Sequence, residues 1–456
     1  MKINKYISTV LVALAAWSAM PSDLQAQKKS KADVPAVTFP EQETAEQKNE
    51  RMQWWSDSRF GMFIHWGLYS MSARHEWVMR REKMTPDDQM KYFTRFNPDL
   101  YDPHEWARYA KAAGMKYAVL TTKHHEGFCL YDSEFTEFKA TNTPAGRDLV
   151  REFLDAFREE GIKVGFYYSL LDWNHPDYVI DHRHPMYLDE NASDEEWDKI
   201  NEGRDMEKYR QYMKNQITEL LTKYGKIDIM WYDFSFAGPH GKGAEDWGSE
   251  EILKLTRTLQ PGIIVNGRLG ISGCDFDTPE QYKVDKCVEE NGQKVHWETC
   301  QTFSGSWGYF RDETTWKSVP MLIELLVETV SKCGNLILNV GPTARGDFDY
   351  RAKDRLDGLA EWMHYNSRAI YGCTEAPAGF ETPANSLLTY NPKTGTLYIS
   401  LLAYPMGKVK ASFMDKVEYA QFLHDGSEIK FDSNGFDVPI LKPHSEIPVI
   451  EVFLKK

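Results

Sequence analysis

No Gly-rich dinucleotide or phosphate-loop fingerprint follows any strand-like segment of this chain, so the nucleotide-binding folds built on that turn lose their main signature. No run of Lys or Arg stands out beyond the extreme N-terminus, and the formal net charge is −14. With no electrostatic footprint for a phosphate backbone, nucleic acid is not an expected partner. Cys-x-x-Cys pairs are missing, as is any His-x-x-x-His helix pair, and no acid cluster completes a metal shell around the histidines that are present. Internal repeats and low-complexity tracts are also absent.

What is present begins with an export signature. Two lysines in Met1 to Lys5 precede an apolar stretch from Tyr6 to Met20, and small residues near Ala26 suit signal cleavage. The stretch is short for a membrane span, which takes roughly 20 residues. No cysteine follows it to carry lipid. The expectation is a signal peptide over 1–26, no membrane span in the mature form, and a periplasmic or secreted location. In an oxidising compartment the six cysteines (Cys129, Cys274, Cys287, Cys300, Cys333, Cys373) could pair, but in so large a domain mostly buried free thiols are expected. Neither the pairing nor the oligomeric state can be read from spacing.

Residues 27–45 are polar and read as a flexible lead-in, with folding expected to start near Trp54. From there to about residue 370, short apolar segments alternate with amphipathic helical ones, the grammar of parallel strands joined by crossover helices. Strand candidates are Arg59–Gly67, Tyr117–Thr122, Val164–Ser169, Ile227–Asp233, Ile263–Gly267 and Asn335–Val340. Asp102-Pro103 starts one helix and Gly114 stops it; a stripe of Leu149, Val150, Phe153, Leu154 and Phe157 ends at Gly161. Further helices are expected at Tyr209–Tyr224 and Met321–Lys332. Such a pattern closes into a barrel or lies open as a doubly wound sheet; the missing phosphate loop favours the barrel. Beyond about residue 375 the helical period disappears, and Lys393-Thr394-Gly395 and Asn434-Gly435 mark hairpins of a small antiparallel β domain.

In a barrel, functional groups gather at strand C-termini. Asp233 closes Ile227–Asp233 beside Trp231 and Tyr232, and a carboxylate so placed can attack a sugar's anomeric carbon. A helix- or turn-capping Asp fits the same position. Glycoside hydrolysis needs a second carboxyl as proton donor, and both Glu280 and Glu298 follow downstream, each also readable as an ordinary surface or core acid. His65, His124 and His125 end other strands; adjacent histidines on one strand should point to opposite faces, so they suit hydroxyl binding better than metal. Asp181-His182-Arg183-His184 reads as a solvated loop in a long polar insertion.

Taken together, Arg59-Phe60-Gly61-Met62-Phe63-Ile64-His65-Trp66-Gly67, Glu76-Trp77, Lys123-His124-His125-Glu126-Gly127-Phe128, Tyr167-Tyr168-Ser169, Trp231-Tyr232-Asp233, Asn266-Gly267-Arg268, Thr278-Pro279-Glu280, Trp297-Glu298 and the run Gly334 to Pro342 resemble the α-L-fucosidases of glycoside hydrolase family 29. The resemblance implies a (β/α)8-type, TIM-like barrel over 46–372, a C-terminal antiparallel β-sandwich over 373–456, and exo-acting, retaining double displacement on fucosylated glycans without metal or organic cofactor. It assigns Asp233 as nucleophile and Glu280 as acid/base, with Glu298 as the alternative. It places His65, Glu76, Trp77, His124, His125, Tyr168, Trp231 and Arg268 around the fucose. A glycan-binding barrel without activity, or a barrel glycosidase for another sugar such as an α-galactoside, are the competing readings.

Overall fold

The computed structural model describes residues 43–455 apart from Glu190 and Asn291; the expected signal peptide and most of the expected lead-in lie outside the described residues. Seven parallel strands form the central sheet, in the order Ile264–Val265, Ile229–Asp233, Lys163–Ser169, Tyr117–Lys123, Phe60–Ile64, Asn335–Val340, Glu298–Thr302. An irregular segment joins its two edges. Phe276 bridges Asn266 on one side, and Asp277 and Glu280 bridge Trp297 and Cys300 on the other, all in parallel sense. The curled sheet thereby closes into a TIM-like barrel.

All six expected strands are present. The seventh strand, Glu298–Thr302, and the closing segment escaped the sequence pattern because both are polar. Glu-Thr-Cys-Gln-Thr has no apolar run, and Asp275 to Glu280 carries three acids and a proline that cannot donate to a ladder.

Side-chain alternation divides each strand between two cores. Phe63, Tyr117, Val119, Tyr167, Ile229, Trp231, Ile264, Cys300 and Ile337 fill the barrel interior, while their neighbours pack outward against the helices. Large and small residues interlock: a Cβ on Gly61 would come within 2.3 Å of the Tyr117 ring beside it. Helices Pro103–Ala112, Leu149–Glu159, Met206–Lys223 and Val319–Ser331 belong to the outer layer, each opened by a capping Asp or Ser.

The fold begins earlier than Trp54 and overlaps the lead-in. Helix Ala45–Ser58 starts on a capping box between Thr44 and Gln47 and sends Met52 and Trp55 into the barrel interior. Only those two of its residues are buried, so no apolar stripe announces it. Trp55→Ala should therefore remove a plug from the barrel floor and cost about 3–5 kcal/mol of stability, readable as a lower urea midpoint.

After residue 373 a four-stranded antiparallel sheet (Ser386–Asn391, Thr396–Leu401, Val449–Leu454, Val417–Phe422) faces a three-stranded one (Lys408–Lys410, Gly435–Asp437, Lys430–Asp432) across a shared apolar core. Both expected hairpin turns are in place, joining Ser386–Asn391 to Thr396–Leu401 and Lys430–Asp432 to Gly435–Asp437. Cys287 and Cys333 form a disulfide, which spacing had not indicated; Cys129, Cys274, Cys300 and Cys373 are free.

Candidate active site

Asp233 ends the fourth strand at the barrel's C-terminal mouth and is almost fully buried. Its Oδ2 accepts a hydrogen bond from the Tyr167 hydroxyl at 2.8 Å, and its Oδ1 lies 2.8 Å from Nη1 of Arg268. Arg268 comes from the short turn Gly267–Leu269 after the fifth strand, with its guanidinium 4.5 Å over the Trp231 ring. The same Nη1 lies 2.9 Å from Oε2 of Glu280. Two oxygens held at 2.8 and 2.9 Å by one nitrogen are less than about 6 Å apart, which fits the spacing of about 5–5.5 Å between retaining carboxyls.

Burial raises the Asp233 carboxyl above its usual range and Glu280 adds to this, while Arg268 and the Tyr167 hydroxyl hold it down. Burial opposes the Arg268 charge, but Glu280 and Asp233 outweigh it and raise the guanidinium further. Three of the nine described non-glycine residues with positive φ adjoin these positions. His75, Phe234 and Gln281 have φ of 87°, 75° and 49° and adjoin Glu76, Asp233 and Glu280. Left-handed non-glycine residues cost on the order of 1–3 kcal/mol each and persist where surrounding packing enforces them.

The three histidines are held neutral, and His65 and His125 are oriented by hydrogen bonds. Nδ1 of His65 meets Oδ1 of Asn339 at 2.6 Å, and because the Asn339 amide nitrogen donates to Trp307 O, that oxygen must accept from His65. This puts the His65 proton on Nδ1 and leaves Nε2 as an acceptor. Nδ1 of His125 meets Ser169 Oγ at 2.6 Å; Ser169 donates to Leu171 O, so the tautomer is the same. Burial lowers His65 to about 3 and drives His124 and His125 well below their usual range.

His124 and His125 do not point to opposite faces. The second strand bulges between Thr121 and Lys123 and then ends, so both histidines sit in a turn with ring centroids 4.0 Å apart. Glu76 is buried; one of its oxygens accepts from Gly308 N at 2.8 Å, the other lies 3.1 Å from His75 Nδ1, and burial raises it to about 7. Trp77 lies 5.2 Å from His125 and 5.4 Å from Phe234, ring to ring.

Two of the sequence-derived positions fall elsewhere. Tyr168 is on the outer face: its hydroxyl donates to Gln216 of helix Met206–Lys223, and Lys123 lies over its ring. Its neighbour Tyr167 faces inward. The period of two that puts Trp231 and Asp233 inside could have identified Tyr167, which pairs with Trp231 in register. Glu298 opens its strand at the opposite end of the barrel from the mouth. It is buried among Tyr117 and Trp231, which both donate to it, and burial raises it to about 7. Asn339 and Ser169, which orient His65 and His125, stand inside the family-like motifs without an assigned role, and Gly308, which holds Glu76, went unread; these contacts are purely tertiary.

A barrel whose mouth holds two close carboxylates on one arginine, ringed by neutral histidines and aromatics, defines a glycoside hydrolase. The profile of the α-L-fucosidase family matches residues 25–368. The mouse tissue α-L-fucosidase is 30% identical over 380 residues, 77% of this chain and 78% of its own. Among solved structures, α-L-fucosidase isoenzyme 1 from Paenibacillus thiaminolyticus superposes with a TM-score of 0.83 at 41% identity, covering 90% of this chain and all of its own. A trapped covalent intermediate of a Bacteroides thetaiotaomicron α-L-fucosidase, in complex with 2-fluoro-fucosyl fluoride, gives 0.76 at 28%, covering 92% and 98%. The chain belongs to the α-L-fucosidase family.

Proposed function

We propose that this protein is an exo-acting retaining α-L-fucosidase that releases terminal α-L-fucose from glycans. The observation that carries this reading is the pairing of Asp233 and Glu280 on one nitrogen of Arg268. Asp233 Oδ attacks the anomeric carbon as Glu280 protonates the departing oxygen. The bond to the leaving group breaks and a fucosyl ester forms on Asp233. Glu280, now ionised, takes a proton from water, whose oxygen attacks the same carbon and releases Asp233. Arg268 favours the ionised form of Asp233 before it attacks, and no step draws on a metal or an organic cofactor. The trapped intermediate of the Bacteroides relative supports double displacement.

The lining suits one deoxyhexose. Nε2 of His65 and of His125 accept from sugar hydroxyls, while Trp231 and Trp77 offer apolar walls for a C5 methyl. Release of nitrophenol from 4-nitrophenyl α-L-fucoside, with the α-galactoside and β-fucoside alongside, tests this. Selective cleavage of the α-L-fucoside is expected; preference for another glycoside would overturn it, and binding without cleavage of any fucoside would favour a glycan-binding barrel.

Tyr167 and Tyr168 separate the inner from the outer face. Tyr167→Phe removes a hydrogen bond to the nucleophile, worth about 1.5–3 kcal/mol for a charged acceptor, and should lower kcat about 10-fold or more. Tyr168→Phe should leave kcat near wild type and cost about 1 kcal/mol of stability. Steady-state kinetics and urea unfolding of both variants check the pair.

Export to the periplasm or medium is part of the proposal. It is supported by the signal-like N-terminus and by a disulfide of the kind oxidising compartments maintain. No helix among the described residues is long and apolar enough to cross a membrane. A mature N-terminus beginning near Gln27 in the exported protein would support it; retention of Met1 in the cytosol would overturn it.

A further inference from the structure

The insertion after the third strand is not the solvated loop its polarity suggests. Asp181 and His184 are 1% and 2% exposed. Asp181 accepts the backbone N–H groups of Arg183 at 2.8 Å and His184 at 3.1 Å, as well as the Tyr178 hydroxyl and the Lys242 ammonium. Lys242 belongs to the loop after the fourth strand, and its carbonyl accepts from Phe236 N at 2.7 Å. His182 N donates to His240 O, and Arg80 donates to His182 O at 3.0 Å. Two loops from adjacent strands are thus joined into one unit through a buried ion pair, Asp181 with Lys242.

That unit presents a continuous row of side chains running outward from the nucleophile. Phe234 follows Asp233 directly and lies 4.7 Å from the His125 ring. Phe236 is 5.9 Å from Phe234, and His182 is 4.8 Å from Phe236. The Arg183 guanidinium lies 5.8 Å from the Phe234 ring and 5.4 Å from that of Phe236. All four side chains are half-buried, so each keeps a face toward solvent beside the mouth.

We propose that Phe236, His182 and Arg183 form a platform for the sugar ring to which the fucose is attached, an inference that rests on the fucosidase reading. A pyranose has a flat C–H face that packs on an aromatic ring and an equatorial fringe of hydroxyls; Phe236 supplies the first contact, and for the second the Arg183 guanidinium supplies donors and Nε2 of His182, whose Nδ1 donates to His240 O, supplies an acceptor. The buried Asp181–Lys242 pair holds the turn in place and makes the platform rigid before substrate arrives. The occupant is the neighbouring neutral hexose of a fucosylated glycan, bound by its ring rather than by charge.

Paired substrates on the intact enzyme test this. α-L-Fucosyl fluoride has a leaving group with no ring and reports on the fucose pocket alone, whereas fucosylated disaccharides of several linkages report on pocket and platform together. Phe236→Ala and Arg183→Ala should each lower kcat/KM about 10-fold or more on the best disaccharide and leave the fluoride within about twofold of wild type. Phe236→Trp should restore the disaccharide rate. Equal losses on both substrates, or no loss on the disaccharide in either variant with unchanged thermal unfolding, would overturn the platform. A wild-type enzyme inert toward fucosyl fluoride would instead overturn the fucosidase reading, and the platform with it.

Discussion

Asp233→Ala is expected to lower turnover of 4-nitrophenyl α-L-fucoside by several orders of magnitude, on the order of 10⁴-fold, as removal of a covalent nucleophile does. Asp233 has no understudy at the mouth. Glu280 shares Arg268 Nη1 with it as the expected proton donor, and Glu76 is held by Gly308 N. The alanine leaves a vacancy lined by the Tyr167 hydroxyl and the Arg268 guanidinium, both still aimed at the missing carboxylate. A small anion should occupy it. Added azide should restore part of the rate, and because it attacks from the nucleophile's side, the product should be a fucosyl azide of inverted anomeric configuration. NMR of the product decides the matter. Near-normal activity without azide would remove Asp233 from the nucleophile role, and an azide of retained configuration would place the attacking face elsewhere.

The second large effect separates two glutamates eighteen positions apart in sequence. Glu280→Ala should slow substrates with poor leaving groups far more than the nitrophenyl fucoside, because only the former need the proton in the first step. Azide should raise the rate on the activated substrate by replacing the water that Glu280 no longer deprotonates, this time with retained configuration. Glu298→Gln should change the two substrate classes alike, since its carboxyl is engaged by Tyr117 and Trp231 below the mouth. Its signature should be in stability. Burial raises Glu298 from 4.5 to about 7, so between those values the folded state holds a proton the unfolded chain has released. Folding stability from this group is therefore greatest at acid pH and falls as pH rises through about 4.5 to 7. The neutral glutamine should flatten that part of the stability–pH curve. Leaving-group selectivity in Glu298→Gln with none in Glu280→Ala would exchange the two roles.

Much of the barrel was legible because its signals are local. A β-branched or aromatic run between a glycine stop and a capped helix is a strand wherever it occurs, and six strands were readable on that basis. Asp233 and His65 were legible for the same reason, each closing an apolar segment, whereas Arg268 came only from the family resemblance. The misreadings came from places where periodicity is interrupted or absent. A bulge beside Thr121 put His124 and His125 side by side instead of back to back. The choice between Tyr167 and Tyr168 depends on which parity faces the barrel axis, which two adjacent tyrosines cannot reveal. The Asp181 turn looked solvated because each residue is polar, yet those polar groups satisfy one another and Lys242 in a buried cluster.

The sequence by itself determined that this is an α/β chain with a C-terminal β domain and a carboxylate at a strand end among aromatics and histidines. Local pattern suffices for such features, since a strand, a cap or a strand-end residue is defined by its own neighbours. Only the tertiary structure decided which second carboxylate stands beside Asp233. Glu280 and Glu298 are chemically equivalent and both lie near the barrel's closing edge. They are separated because the irregular segment carrying Glu280 bridges the last strand near its middle, bringing one acid onto Arg268 at the mouth, while the strand that follows begins with the other on the floor. That outcome depends on how the sheet's two edges meet, a contact between segments whose polar sequence carries no periodic signal of its own.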